Sequence, residues 1–458
     1  MASLPAVLGV EPDRPAAARG TLGRALRRRL PAVLASAGLL VAGLVFSFWW
    51  NLHVDHAGVW YEPADLWRTT LAATRLVRGD LGGLYSNGTN LVSLPGAAII
   101  LAPAAAVIVG FHLPLGPPIG TSAHTLAWVV LLPWTLLLAS SVLFATDRLA
   151  RHLGISWPRR LLLAGAETVA LWNVVPYWGH PEDCVAVALL LFALDAAAFG
   201  RPARSAWLVG FALAVQPLVA LAVPVLAVTA AGARLRPTLA YLGRAALPPA
   251  LVLAVALGAN WSATWYHVVV QPNWPHIDRP TPWMVLAPRL TSQTVAAGPA
   301  RSLAAGLACL VAWPAWRSWQ RAQRTGGRPA SGPGPWAPAA LASVVWWVAL
   351  ALALRCAFES VMVAYYLWPG LAVGMLAASV LRWRLVLGVA VAVAVTLFCN
   401  TWWQAEWAWW LVVLAGLAAE LLAAYPAPLR RGRAAPPEPR GSQPQKLLVA
   451  EAGRVGSA

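Results

Sequence analysis

Long apolar stretches recur along almost the whole chain, and short polar loops separate them. A helix needs about 20 apolar residues to cross a hydrocarbon core of about 30 Å, and stretches of this length occur repeatedly. The pattern predicts an all-α, polytopic membrane protein of about 11–13 helices. The predicted spans are residues 31–52, 122–146, 159–178, 184–200, 240–262, 300–316, 336–354, 361–381, 384–400 and 407–425.

Three stretches depart from this simple pattern. One apolar stretch is interrupted by Gln216 and Pro217, which predicts two short helices that meet at a break. Residues 1–29 and 426–458 are rich in proline and arginine, which predicts a disordered cytoplasmic arm and tail. The transmembrane domain is therefore expected to cover residues 30–425.

Composition supports the membrane class and argues against nucleic-acid binding. Charged residues make up 11% of the chain, less than half of the roughly 25% that is typical of soluble domains. The net charge of +17 comes almost entirely from arginines in short loops between apolar stretches. Loop arginines of this kind mark the cytoplasmic side of a membrane protein. The arginine-rich loops are residues 147–160, 201–204, 234–244, 317–328, 382–384 and 430–433.

Residues 91–111 decide the predicted sidedness. If this apolar stretch crossed the membrane, the arginine-rich loop 147–160 would lie outside, against the charge rule. Pro95 and Pro103 also disfavour a straight crossing. We therefore expect a segment that dips into the outer leaflet within a large first outer loop, residues 53–121, and chemistry on the extracytoplasmic face of the cell membrane.

This first outer loop carries a concentration of charge in EPADLWRTTLAATRLVRGDLGGLY, residues 62–85. Helical spacing predicts an amphipathic helix that is too short to span and lies along the membrane surface. Its expected apolar face holds Leu66, Trp67, Thr70, Leu71, Thr74 and Val77, and its polar face holds Asp65, Arg68, Arg75 and Arg78.

Two interpretations of Asp65 remain open at this level. In the first, Asp65 completes a helix start, where the helix dipole lowers its pKa, and it pairs with Arg68 three residues on. In the second, Asp65 accepts a proton from a sugar hydroxyl, while Arg68, Arg75 or Arg78 holds a phosphate. Asp55, just after the first span, is a rival base.

The motif GHPED places His180, Glu182 and Asp183 at the predicted outer entrance of a helix. One interpretation is an ordinary helix start, with Pro181 in the first turn and acids on the dipole. The alternatives are acceptor binding, or a metal site if the first loop supplies a further carboxylate. Three such residues are not by themselves a metal motif, so neither a metal nor a cofactor is predicted.

Two further arginines are candidates for binding phosphate. Arg279 lies in a long predicted outer loop, residues 263–299. Arg355 lies near the end of an apolar helix, and ionisable groups at membrane depth usually face an interior cavity. The alternative for Arg355 is a pair with Glu359.

The stretch ADLWRTTLAATRLVRGDLGGLY, followed by LVSLPGAAIILAP, resembles the first outer loop of glycosyltransferase family 87. Those proteins are polyprenyl-phosphate-mannose-dependent mannosyltransferases of the glycosyltransferase C superfamily. The positions of the family pattern are occupied here by Asp65, Gly79, Leu84, Tyr85 and Pro95. In that superfamily the acidic residue of this loop is the catalytic base, so the resemblance implies this role for Asp65.

A second stretch, residues 179–224, resembles the family's Gly-Gln, long apolar helix, arginine-rich turn and Lys-Pro segment. It departs from that pattern because His180 replaces the Gln and Gln216 replaces the Lys. The resemblance implies a glycosyltransferase C-like fold and transfer of a hexose, with mannose expected, from a polyprenyl phosphate to an extracytoplasmic lipid or glycan acceptor with inversion. The implied partners are that donor, the acceptor and membrane lipid.

Two other functions remain open. A lipid or solute transporter or flippase would explain the broken helix at Gln216 and Pro217, because transporters bind substrates at discontinuous helices. A non-catalytic membrane protein of the cell envelope is the third possibility.

Overall fold

The computed structural model describes residues 28–53, 63–115 except 87, 90 and 92, 126–270, 280–326 except 297, 335–401 and 407–426. Within these ranges the regular structure is helical, and pairing of extended backbone is limited to isolated bridges. The prediction of an all-α protein is confirmed. Residues 1–27 of the predicted arm and 427–458 of the predicted tail lie outside the described residues, and their disorder stays a prediction.

The described ranges contain fifteen α-helices. They are α1 (Leu30–His53), α2 (Ala64–Val77), α3 (Pro95–Gly110), α4 (Ala127–His152), α5 (Trp157–Trp172), α6 (Pro181–Ala198), α7 (Pro202–Val215), α8 (Val223–Ala231), α9 (Leu235–Ala259), α10 (Trp261–Trp265), α11 (Ala300–Thr325), α12 (Pro338–Ala357), α13 (Trp368–Ala378), α14 (Arg382–Thr401) and α15 (Trp407–Ala424).

Six of these helices, α1, α4, α9, α12, α14 and α15, are long and apolar enough to cross a membrane. A helix rises 1.5 Å per residue, so the 20 residues of α12 extend about 30 Å, the thickness of a hydrocarbon core. The six helices indicate a membrane-embedded protein. The other predicted spans coincide with α5, α6, α11 and α13, which do not meet the same standard of length and composition; α5 has 16 residues and α13 has 11.

The predicted break at Gln216 and Pro217 is confirmed. α7 ends at Val215, and Gln216 is extended, with φ −148° and ψ 114°. Pro217 then begins a 3₁₀ turn, Pro217–Ala222, that leads into α8. A proline lacks the amide hydrogen that would continue the helical ladder, so the chain leaves α7 here. The break puts the Gln216 side chain beside the first turn of α6.

The expected apolar face of α2 is only partly right. The buried residues are Leu66, Thr69, Thr70, Ala72, Ala73 and Thr74, whereas Val77 is 38% exposed. α2 packs along α3 at one side and meets the turn before α6 at its start. These two contacts bury Ala72 and Ala73, which a helix with a single apolar face would leave exposed. α3 has 16 residues and is about 24 Å long, shorter than an upright crossing requires.

Single cysteines at exposed positions test the predicted sidedness. Cys309 is an exposed native cysteine, whereas Cys184, Cys356 and Cys399 are buried, so Cys309→Ala provides the background. In that background, Asp80→Cys and Gln293→Cys are expected to react with a membrane-impermeant maleimide on intact cells. Ser156→Cys, in an arginine-rich loop, is expected to react only after permeabilisation. Labelling of Ser156→Cys on intact cells would instead mean that α3 crosses the membrane.

Candidate active site

Asp65 on α2 and the GHPED turn before α6 meet around one imidazole ring. His180 Nε2 lies 3.5 Å from Asp65 Oδ2, and His180 Nδ1 lies 2.9 Å from Glu182 Oε1. His180 and Glu182 are buried, and the side chain of Asp65 retains 30% of its exposure. The imidazole thus joins an acid of the first loop to an acid of α6, and Asp65 is the acid that stays accessible.

The backbone before α6 explains why His180 points back towards α2. After α5, a π-helical turn, Asn173–Tyr177, contains Pro176, and Gly179 takes the left-handed conformation with φ +73°. The His180 amide then donates to the Val174 carbonyl at 3.1 Å, which closes the corner. Pro181 suits the first position of α6 because its missing amide hydrogen has no helical partner there.

Close contact between this corner and the start of α2 sets the position of Asp65. A Cβ atom added to Gly179 would lie 2.5 Å from Pro63 Cβ and 2.9 Å from Leu66 Cβ. Real Cβ atoms do not approach other atoms this closely, so glycine is needed both for its φ angle and for its size. Asp65 lies between Pro63 and Leu66 in sequence, and the contact therefore holds its carboxylate beside His180.

The two partners move each other's pKa in opposite directions. Burial raises the pKa of Asp65, but the hydrogen bond and charge of His180 and the charge of Arg68 outweigh it, and the net shift is downwards. Burial lowers the pKa of His180, but Glu182 and Asp65 outweigh it and raise that pKa well above its usual value. The lowered pKa of Asp65 was predicted from the helix dipole; His180 and Arg68 are the causes that the structure supplies.

Two tyrosines connect His180 to Arg355. The ring of Tyr365 stacks on the imidazole, with 3.7 Å between ring centroids. The neighbouring ring of Tyr366 meets Tyr365 edge-on and lies 3.7 Å from the guanidinium carbon of Arg355. A guanidinium over an aromatic face is held by the ring quadrupole. The aromatic pair therefore places Arg355 on the same cluster as His180 and Asp65.

Arg355 shares Glu359 with a second arginine that sequence reasoning missed. The predicted alternative, an Arg355–Glu359 pair, is present at 3.5 Å. Arg301 on α11 makes the closer contact, with its Nε 2.7 Å and 3.0 Å from the two carboxylate oxygens. Arg301 could have been noticed as a charge at the predicted outer end of an apolar stretch. Two guanidiniums around one buried carboxylate leave an excess of positive charge.

The remaining predicted site residues are spread more widely. Arg68 lies 3.4 Å from Asp65 and belongs to the cluster. Arg75 is about ten residues further along α2, about 15 Å along the helix axis, and donates to Ser86 Oγ at 2.9 Å. Arg78 follows Arg75 at the exposed end of the helix. The structure therefore does not bring Arg75 and Arg78 to Asp65. Arg279, and the rival base Asp55, lie outside the described residues.

Gln216 occupies the position where the family pattern has a lysine, and it contacts Asp183. Gln216 Nε2 donates to Asp183 Oδ1 at 2.7 Å. An amide can satisfy one oxygen of the carboxylate, but it carries no charge to balance it. The departure from the family pattern thus leaves Asp183 with a neutral partner at this contact.

Comparison with known proteins assigns no family to the chain. No protein-family model matches it, and no curated protein matches it either. Only the geometry of the site and the residues that carry the resemblance therefore bear on its function.

Replacing Gly179 with alanine tests the contact that positions Asp65. Gly154 is a matched control, because it has the same φ of +73° but nothing within 4 Å of an added Cβ. Each alanine costs roughly 1–2 kcal/mol for the left-handed backbone. Gly179→Ala should lose about 1–3 kcal/mol more through overpacking against α2. Unfolding in detergent measures both variants, and equal losses would contradict the close packing of α2 on this corner.

Proposed function

We propose that the chain is a multi-pass glycosyltransferase of the cell membrane, with its active site on the extracytoplasmic side. It transfers a hexose, mannose by the resemblance, from a polyprenyl phosphate to a lipid or glycan acceptor. The observation that carries the proposal is the convergence of an accessible, ionised Asp65 with the Arg355 and Arg301 guanidiniums, linked through His180 and two tyrosines.

In the proposed reaction, Asp65 accepts the proton of the acceptor hydroxyl. The hydroxyl oxygen attacks the anomeric carbon of the donor sugar, and the bond from that carbon to the phosphate oxygen breaks with inversion. The bonding pair leaves with the polyprenyl phosphate. A carboxylate with a lowered pKa is a weak base, so proton transfer accompanies formation of the new carbon–oxygen bond rather than preceding it.

His180 acts in this scheme as a positioning residue. Its ring is fixed on one face by Tyr365 and at Nδ1 by Glu182. Nε2 then faces Asp65, and this contact holds the Asp65 carboxylate ionised and in one orientation. A fixed base lowers the barrier because the reacting groups need not be brought into alignment during the reaction.

The Arg355 and Arg301 pair supplies the charge that the departing phosphate requires. Glu359 is 1% exposed, and both its carboxylate oxygens accept from Arg301 Nε. Arg355 approaches Glu359 through Nε, and a guanidinium has four further N–H donors. These donors can hold a phosphate oxygen as negative charge develops on it, the kind of stabilisation that is usually the largest catalytic contribution.

A transporter or flippase is the second candidate because α7 breaks at Gln216. Discontinuous helices bind substrates in transporters, where their ends face a cavity. Gln216 is engaged by Asp183, however, and the charged cluster surrounds His180 rather than the break itself. Purified protein in vesicles separates the two functions, because a flippase moves labelled polyprenyl-phosphate mannose across the bilayer without producing a mannosylated acceptor.

Asp65→Asn tests the proposed base. Asparagine keeps the size and much of the hydrogen bonding, but it cannot accept the proton. Loss of a positioned general base costs about 10²–10⁴-fold in rate. Transfer of radiolabelled mannose from polyprenyl-phosphate mannose to extracted envelope lipids should therefore fall by that factor, with normal expression and unfolding temperature.

Two variants serve as controls for this experiment. Asp80→Asn makes the same chemical change in the first loop, at an exposed carboxylate beyond the far end of α2, and should leave the rate within about twofold. Asp55→Asn tests the rival base. A loss at position 55 alone would transfer the role there, and full activity of all three variants would refute the mechanism.

Arg355→Ala tests the phosphate site. Removing this guanidinium should raise the KM for the polyprenyl-phosphate donor and lower kcat, together by at least about tenfold, because a charge-assisted hydrogen bond contributes about 1.5–3 kcal/mol. Arg321→Ala, an exposed arginine in a predicted cytoplasmic loop, should leave both parameters unchanged. Equal, small effects in the two variants would remove Arg355 from the site.

A further inference from the structure

The turn before α6 and the start of α2 bring three carboxylates to one imidazole. Asp65, Glu182 and Asp183 surround a single imidazole, and Arg68 is the guanidinium within ion-pairing distance of Asp65. Glu182 is 1% exposed and Asp183 is fully buried. Buried carboxylates are costly unless a proton or a cation balances them.

The geometry of the cluster is compatible with one cation. His180, Glu182 and Asp183 can each offer one ligand atom, and these atoms all lie within 4.8 Å of one another. Two ligands on opposite sides of a small cation are about 4.2 Å apart, given bonds of about 2.1 Å. Side-chain movements of about half an ångström therefore bring the three atoms to bonding distance.

A second observation points to a ligand at the same place. Glu182 Oε2 and Asp183 Oδ2 are both buried and lack a hydrogen-bond partner within the described residues. The other oxygen of each carboxylate is engaged: Glu182 Oε1 with His180 Nδ1, and Asp183 Oδ1 with Gln216. Buried polar atoms are nearly always satisfied, so two unsatisfied oxygens on adjacent side chains are unusual.

The contact of His180 with Asp65 has the form found in metal sites. A histidine ligand usually donates its other ring N–H to a carboxylate, which fixes the tautomer and the ring orientation. Here Nε2 faces Asp65 Oδ2 at 3.5 Å. Nδ1 and Glu182 Oε1 are 2.9 Å apart, close to the spacing of about 3.0 Å between neighbouring ligands of an octahedral cation.

We infer that His180, Glu182 and Asp183 bind a divalent transition-metal cation, of which Mn²⁺ and Zn²⁺ are the representatives, beside Asp65. One imidazole with carboxylate oxygens suits these ions, whereas Mg²⁺ and Ca²⁺ prefer oxygen ligands alone. The cation takes the place of the proton on His180 Nδ1, and its charge of +2, together with Arg68, balances the three carboxylates. The carboxylate from the first loop, on which a metal interpretation of GHPED depended, is Asp65.

This inference goes beyond the proposed transferase, which uses no cofactor, and it is tested without any sugar donor. Full-length protein is purified in detergent, stripped with EDTA and titrated with Mn²⁺, and free Mn²⁺ is counted by electron paramagnetic resonance. The wild-type protein should bind one Mn²⁺ per chain. Asp183→Asn and Glu182→Gln should each weaken binding at least tenfold, and excess Zn²⁺ should displace the Mn²⁺.

Asp80→Asn is the matched control, an equally conservative change at an exposed carboxylate outside the cluster, and should bind Mn²⁺ as the wild-type protein does. Gel filtration and circular dichroism identify any variant that does not fold. If both variants fail to fold, the wild-type protein still tests the inference, because a wild-type protein that binds neither Mn²⁺ nor Zn²⁺ overturns it. Unchanged affinity in folded Asp183→Asn and Glu182→Gln overturns it as well. Cation binding without transferase activity would support the site and count against the proposed reaction.

Discussion

The contact between Asp65 and His180 is the interaction on which the candidate site depends. It joins two helices that are far apart in sequence, and it places a charged pair where one partner is buried and the other is half-exposed. Burying a charged imidazole costs free energy of desolvation. Here that cost is offset because Asp65 faces one ring nitrogen of His180 and Glu182 faces the other. An isolated Asp65 on a surface helix would have no comparable environment.

Ordinary backbone devices make this contact possible. Pro176 ends regular α-helical bonding in the turn after α5, Gly179 reverses the chain, and Pro181 restarts it as α6. The lack of a side chain at Gly179 then lets α2 approach. Each of these backbone features is local, but together they set the distance between Asp65 of the first loop and His180 at the start of α6. The ring of Tyr365 stacks on one face of the imidazole and restricts its rotation.

The sequence was sufficient to predict what depends on local pattern. Apolar stretches predicted an all-α membrane protein, and Gln216 and Pro217 predicted the broken helix. The helical pattern left two interpretations of Asp65 open, and the role of base came from the family resemblance. Contacts between distant side chains could not be predicted in this way. Arg301 lies on α11 and Glu359 lies in the segment after α12, and helical periodicity indicates which face of a helix is apolar but not which residue that face contacts. The face of α2 was partly mispredicted for the same reason, since α3 and the Gly179 corner enclose it from two sides.

The acids at the two ends of α6 have different partners. At the far end, Asp195 is ion-paired with Arg148 at 2.7 Å, as an acid at a helix C-terminus requires. At the near end, Asp183 makes no ion pair within the described part of the chain and has the neutral Gln216 as its hydrogen-bond partner. The same helix thus has one acid that is ion-paired with a guanidinium and one whose hydrogen-bond partner is neutral. A stabilising role alone would favour a charged partner at both ends, and the proposed cation beside Asp183 accounts for the difference.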